Sequence, residues 1–398
     1  MAKWRAEELF YCSNVHPGET LSEVKMNLCH FVDSVRQKRC LTGMQAGLWL
    51  SQQAVSEWAA CPEEKVLFAD LLKAKKITVR SLNGFPYGGF HQGVVKETVY
   101  QPAWDQRARL DYTIQLATLL ADLIRDSGDE GTISTLPLGF ADDWNATKQQ
   151  QAEQLICELL DFLVDLEKSS GQQIRVCLEM EPGCVLEKTD QLIHFFNTVL
   201  PLALQTYGLP TDIIHRHLGV CFDVCHQAVM FEDIGKSLTA ITEAEIVIGK
   251  IQVSSALRIV RPDQAKALLS DFAEPRYLHQ LTTKDRQGER VYFLDLEEAL
   301  LSKEIPWDSE WRVHFHVPIQ AEQLESALLS TTRQTIIETC HFLAENPSIK
   351  PHLEVETYTW GVMPEAIQPK SDSQLIGAIT QELNWLQSTL NDFNLMAA

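Results

Sequence analysis

Five short segments in the C-terminal two-thirds of this chain alternate strictly between hydrocarbon and polar side chains, and nothing else in the sequence constrains the fold as tightly. Along residues 175–181, Val176, Leu178 and Met180 oppose Cys177, Glu179 and Glu181. Along 217–223, Leu218, Val220 and Phe222 oppose Gly219, Cys221 and Asp223. Ile251 and Val253 oppose Lys250, Gln252 and Ser254; Val313, Phe315 and Val317 oppose Arg312, His314 and His316. Leu353, Val355 and Thr357 oppose Glu354 and Glu356. Successive side chains on a strand point to opposite faces, so each segment offers carboxylates, imidazoles or amides to one side only. Helical patterns lie between most of these segments. The expected architecture is therefore a parallel α/β barrel with helices outside and a polar pocket inside.

The rest of the chain reads as strand and helix in turn. Strands are expected near 9–13, 43–50, 76–82 and 132–136, ahead of those ending at Glu181 and Asp223. Helices are expected near 63–74, 105–126, 146–168, 189–206 and 372–390, and the third places Leu155, Leu159, Leu160, Leu163 and Leu166 on one stripe. Repeated βα units without a composition break predict a single (β/α)8 TIM-barrel domain over 1–398, with an extra excursion around 262–311. No GxGxxG or GxxxxGK[ST] loop points to a nucleotide fold. Nine candidate strands compete for eight places. Either 312–318 is the eighth, or it belongs to an excursion of the seventh unit and 353–357 is the eighth; the second is preferred.

A formal charge of −20, from 34 Lys+Arg against 54 Asp+Glu, argues against nucleic acid, because phosphate contacts need a basic stripe. The 10 cysteines form no CxxC pair and several lie inside apolar patterns, as buried thiols of a reducing compartment do. The N-terminus lacks the apolar core of a signal peptide, and no stretch approaches the roughly 18 apolar residues of a membrane span. The expectation is a soluble, cytoplasmic protein.

In barrels of this kind the active site lies at the carboxyl ends of the strands, where these polar residues cluster. A Glu, an Asp, a Gln or His and a second Glu converging there form a cage suited to Mn²⁺, Mg²⁺, Co²⁺ or Zn²⁺. Carboxylates supply the charge, and imidazole adds affinity for transition metals. Asp223-Val-Cys-His226 is the sharpest element: the Asp ends a strand and the His follows one turn later. One inward Glu is commonly a salt-bridged core residue, and an isolated HxH is commonly incidental. Five such strands are another matter, since buried unpaired charge costs several kcal/mol. The glycine-rich aromatic loop 83–91, with Lys96, Tyr100 and Trp104 after it, is expected to form a lid. Asn83, Tyr87, His91 and Trp104 are its candidate substrate contacts, together with His16 at the end of the first strand; a surface loop pinned by aromatic packing is the alternative.

Leu-Glu-Met-Glu-Pro (178–182) and Phe-Asp-Val-Cys-His (222–226) resemble the xylose-isomerase-like TIM barrels, which include sugar isomerases, epimerases and endonuclease IV. Further segments resemble the EboE-type metabolite traffic proteins of bacterial ebo gene clusters. They are Tyr-Cys-Ser-Asn-Val-His-Pro-Gly-Glu (11–19), Leu-Asn-Gly-Phe-Pro-Tyr (82–87), Val-Lys-Glu-Thr-Val-Tyr-Gln-Pro-Ala-Trp (95–104), Lys-Ile-Gln-Val-Ser-Ser-Ala-Leu (250–257), His-Phe-His-Val-Pro (314–318) and Leu-Glu-Val-Glu-Thr-Tyr-Thr-Trp (353–360). They span nearly the whole chain.

The resemblance implies a divalent metal (Mn, Zn, Co or Mg) held by Glu179, Asp223, Gln252 and Glu356, in the places of the superfamily's Glu, Asp, His and Glu. Gln252 stands where a histidine is the rule, a loss that His314 and His316 make good if their strand reaches the pocket. His316 is accordingly a fifth candidate ligand. Each Glu-x-Glu pair leaves two choices, so Glu181 and Glu354 stay open as ligands or substrate contacts, and His314 is a further contact. The implied activity is isomerisation or epimerisation of a sugar- or cyclitol-like metabolite in an ebo-cluster pathway, alongside other ebo-cluster proteins. Glu179 and Glu356 would hold the ion and move the proton, His226 would bind a hydroxyl, and Lys250 the developing enolate. The alternative, favoured by Gln252, is a non-catalytic barrel that binds or hands over a small metabolite. An endonuclease IV-like enzyme is rejected, because the basic face and the further early histidines are missing.

Overall fold

In the computed structural model, which describes residues 3–125 and 130–397, the alternating segments become neighbouring staves of one sheet. Its strands are β1 (Phe10–Tyr11), β2 (Met44–Trp49), β3 (Ile77–Asn83), β4 (Gly131–Thr135), β5 (Ile174–Glu179), β6 (Leu218–Asp223) and β7 (Ile248–Val253). After five intervening strands, β13 (His352–Val355) completes it. The order is β1-β13-β7-β6-β5-β4-β3-β2, with parallel pairing throughout. The outer strands β1 and β2 meet through a parallel bridge between Cys12 and Gly47, and the Trp49 N–H donates to Ser13 Oγ at 2.9 Å. These contacts close a (β/α)8 TIM barrel in which β13 is the eighth stave.

Helices cover the outside because their apolar stripes have no other surface to bury. Helix Ala146–Ser170 starts where Asn145 accepts from the Thr147 and Lys148 N–H groups, and stops at Gly171, whose φ of 74° suits a residue without Cβ. It buries Leu155, Leu159, Leu160 and Leu163, while Leu166 is only half-buried. Truncating one of the four, as in Leu159→Ala, costs about 2–5 kcal/mol. The helix expected over 105–126 runs Arg107–Leu123; Asp126 lies outside the described residues.

The excursion is longer than expected. It lies between β7 and the helix Arg333–Glu345 that leads into β13, and builds a second, antiparallel sheet of β8 (Ala256–Ile259), β9 (Leu281–Lys284), β10 (Arg290–Phe293), β11 (Glu310–His316) and β12 (Ser330–Thr331), in the order β10-β9-β11-β8-β12. The excursion expected around 262–311 is present and reaches further on both sides. The chain turns at Ser254-Ser255 directly after β7, and β11 is the central strand of the added sheet. The β11–β8 register slips between Val313 and His316. Bulges of this kind re-aim side chains, and this one lies where His314 and His316 turn to the barrel mouth.

Candidate active site

The barrel interior is layered by charge. On β5, β6, β7 and β13 the polar faces point inward, and register places Asp223 beside Gln252 and Gln252 beside Glu354. The lower layer is sealed: Lys250 and Glu354 are fully buried and paired at 3.0 Å, and Lys250 Nζ also donates to Ser134 Oγ at 3.3 Å. Gly47 makes room for this pair, since a Cβ there would stand 1.7 Å from Glu354 Oε2. Burial works against a charged Lys250, yet Glu354 outweighs it and holds the ammonium's pKa above its usual range.

Above this layer, donor oxygens of Glu179, Asp223 and Glu356 lie within 4.8 Å of one another. Glu356 Oε1 accepts from Asn14 Nδ2 at 2.8 Å and Asn83 Nδ2 at 3.0 Å. Glu179 Oε2, Asp223 Oδ2 and both amide atoms of Gln252 are buried without a hydrogen-bond partner. Burial raises the pKa of Glu179 and of Glu356, reinforced by Asp223 on both and by Glu179 on Glu356, although His226 draws Glu179 down. Orphaned polar atoms and crowded carboxylates in one buried layer mark a site built for a cation.

Three imidazoles stand beside those carboxylates. Asp223 caps the short helix Val224–Val229: its Oδ1 accepts from the His226 N–H at 2.9 Å and from Ser254 Oγ at 2.8 Å. That cap sends His226 back over the barrel end. His226 Nδ1 lies 2.8 Å from the Met180 carbonyl and His316 Nδ1 2.7 Å from the Glu356 carbonyl. Carbonyls only accept, so both rings carry their proton on Nδ1. Gln280 Nε2 donates to Tyr100 Oη at 2.7 Å and to the Pro182 carbonyl at 3.0 Å, which turns its Oε1 toward His314 Nδ1 at 2.6 Å. His314 is protonated on Nδ1 as well. The three Nε2 atoms then face each other, His226 to His314 at 3.1 Å and His314 to His316 at 3.3 Å. Burial keeps His314 and His316 from charging, the latter pushed down to about 4. On His226 burial acts the same way but is outweighed by Asp223, Glu181 and Glu179, so its pKa rises.

A narrow cavity of about 60 Å³, open at its mouth, ends on this layer. Its floor is Asn14, Asn83, Glu179, Glu181, His226, His314 and Glu356, and its walls come from the loops after β3 and β13 and from the excursion. The loop after β3 is clasped to the excursion: the Val95 and Lys96 N–H groups donate to the Arg276 carbonyl at 2.7 and 3.0 Å, and Lys96 Nζ meets Asp295 at 2.5 Å. Tyr100 crosses the cavity and donates to Glu181 Oε1 at 2.8 Å.

Of the residues expected from sequence, Asn83, Glu179, Glu181, His226, His314 and Glu356 line this cavity, with Asp223, Gln252 and His316 packed behind them. The others are corrected. Lys250 and Glu354 lie in the sealed layer below. Tyr87 packs edge-on against Tyr112 at 5.1 Å, Trp104 is wholly inside the core, and His91 wedges between Trp49 and Phe90. His16 stacks on Phe31 at 3.9 Å and bonds the Tyr11 hydroxyl, and burial lowers its pKa to about 3. In loops no period-two rule fixes direction, so these rings turned to the nearest apolar surface. Sequence reasoning missed Cys225, Tyr277, Gln280 and Tyr358. Cys225, inside the Asp223–His226 motif, carried the only local signal for its place beside His314 and His316.

No family model and no curated protein matches this chain. Solved structures do: the IOLI protein with a bound zinc atom (12% identity, 97% of this chain and 98% of that one, TM-score 0.48); 3-keto-D-glucoside 4-epimerase YcjR from E. coli (9%, 96% and 99%, TM-score 0.46); and a D-tagatose 3-epimerase-like protein (10%, 97% and 98%, TM-score 0.48). At such distances the likeness carries no argument about chemistry. The chemistry has to be read from the side chains.

Proposed function

We propose that the chain is a single-domain, metal-dependent isomerase or epimerase of a sugar- or cyclitol-like metabolite. One observation carries this reading: three imidazole Nε2 atoms meet beside Asp223, next to a pair of glutamates. The residues fit a divalent transition ion. Imidazole favours such metals, each ring is held through Nδ1 by an oxygen as metal-bound histidines are, and Asp223 Oδ2 stands unpaired. Asp223, His226 and His316, whose donor atoms lie within 4.8 Å of one another, would hold the ion, with His314 against both histidines and Gln252 offering its amide oxygen. A bound ion would supply Lewis acidity toward a carbonyl and its neighbouring hydroxyl.

With the imidazoles in that role, Glu179 and Glu356 are left to move the proton. Glu179 presents an oxygen with no partner, suited to accept a proton from the carbon next to the carbonyl. Glu356, anchored through Oε1 by two amides, returns a proton from its other oxygen. Return to the opposite face of the same carbon is epimerisation; return to the neighbouring carbon is isomerisation. Lys250 offsets the charge of Glu354 from below and touches no substrate. From the sequence resemblance to EboE-type proteins we further propose a cytoplasmic ebo-cluster pathway, with other ebo-cluster proteins as partners.

Protein purified without chelator or metal-binding tag should hold about one divalent ion per chain, lost on His314→Ala and kept on Glu179→Gln. Deuterium should enter aldose or ketose substrates from D₂O with the native protein and not with Glu179→Gln. Loss of the ion from Glu179→Gln and its retention in His314→Ala would move the metal to the carboxylates. No ion, even after soaking in Mn²⁺, Co²⁺ or Zn²⁺, overturns the reading. It would leave a barrel that binds its metabolite without turnover, as Gln252 in the place of an imidazole favours.

A further inference from the structure

The cavity is built from two unlike materials. Its floor is oxygen and nitrogen throughout, from Glu179, Glu181, Glu356, His226, His314 and Asn83. Its walls are mainly apolar: Phe85, Phe90, Val95, Val99 and Leu278, with the rings of Tyr277 and Tyr358 beside them. The polar atoms that do rise into the walls are largely engaged. The Tyr100 hydroxyl is shared between Glu181 and Gln280, and Lys96 is paired with Asp295. The aromatic wall is itself well supported. Phe90 packs on Trp49 at 6.0 Å, on Tyr277 at 5.1 Å and on Tyr358 at 5.4 Å, and Tyr358 leans on His316 at 4.7 Å.

A free sugar has hydroxyls on every carbon. Seated on this floor, it would leave those on its upper half against hydrocarbon, unpaired and stripped of water. An apolar substituent would instead bury its surface on the same walls. We infer that the substrate is amphiphilic: a polyhydroxylated or hydroxycarbonyl head that reaches the floor, carrying an apolar aryl or alkyl group that fills the aromatic mouth. This deepens the isomerase reading and rests on it for the chemistry of the head. The walls alone carry the argument for the tail.

The test is calorimetric titration of the metal-loaded protein with matched pairs: a free hexose and its phenyl or hexyl glycoside, and free inositol and its phenyl ether. The substituted member should bind at least about tenfold tighter, the gain expected from burying a few methylene equivalents. Phe90→Ser should bring the two members to within about threefold, and Val99→Thr, at a half-buried position where the added hydroxyl can still reach water, should lower the ratio in the same direction. Neither variant touches a proposed metal ligand, so both should keep the native metal content. Equal affinity, tighter binding of the free polyol, no binding of any substituted member, or a ratio unmoved in both variants overturns the inference. Repeating the titrations after chelation separates it from the metal reading: the ratio should persist while both affinities fall.

Discussion

The Nε2 atoms of His226 and His314 lie 3.1 Å apart, although each ring already donates its Nδ1 proton to an oxygen. Two nitrogens at that distance need a positive charge between or beside them, which a proton on His226 or a bound cation supplies. In a layer that also holds Glu179, Asp223 and Glu356, that condition organises the whole site.

Gln280 sets the protonation of His314 without reaching the donor cluster itself. Gln280→Leu removes the acceptor for Nδ1 and frees the proton to move to Nε2. Metal affinity should fall on the order of 10- to 100-fold, as when an outer partner of a metal-bound histidine is removed. Competition titration against a chromogenic chelator measures this. An unchanged affinity would mean that the His314 tautomer is not held by Gln280.

Removing the ion should destabilise the fold as well as stop the chemistry. A ligand present at 100 times its Kd stabilises the state it binds by about 2.7 kcal/mol. Chelation should therefore lower the unfolding midpoint, and added Zn²⁺ or Co²⁺ should restore it. His314→Ala should show the lowered midpoint from the start and respond to neither treatment.

The Lys250–Glu354 pair should be costly to break and cheap to replace. Lys250→Met leaves Glu354 charged and alone in a fully buried layer, a loss on the order of 3–5 kcal/mol. The double substitution Lys250→Met with Glu354→Gln removes both charges and should recover most of that loss. Urea unfolding of the two variants decides it, and equal stability of single and double variants would refute a coupled pair.

Glu382 predicts a pH dependence remote from the active site. Burial raises its pKa from the ordinary 4.5 to about 7, against the pull of donors from Thr357, Trp360 and Ile319. The folded protein thus holds this proton more tightly than the unfolded chain. The stabilisation is complete below pH 4.5 and is lost as the pH rises through 7. The change should be about 3 kcal/mol. Glu382→Gln should flatten that slope in urea unfolding curves recorded across the interval, and a slope that survives the substitution assigns it to another group.

What could be read from the sequence was whatever a strand's twofold period dictates. Glu179, Asp223, Gln252 and Glu356 face one interior because each ends or follows a stave whose alternate residues are hydrocarbon, and the barrel follows from repeating that pattern between helices. The same rule put Lys250 and Glu354 inward but could not say that they lie one layer too deep for a substrate, since depth depends on how neighbouring staves are staggered. Nor could it place the loop rings: Tyr87, His91, Trp104 and His16 went where apolar surface was nearest. Above all, the meeting of His226 with His314 and His316 joins residues 88 positions apart. It depends on a bulged antiparallel strand laid over the barrel mouth by an inserted sheet. Local pattern decided which faces are polar; only the packing of that sheet against the barrel decided which polar groups share one centre.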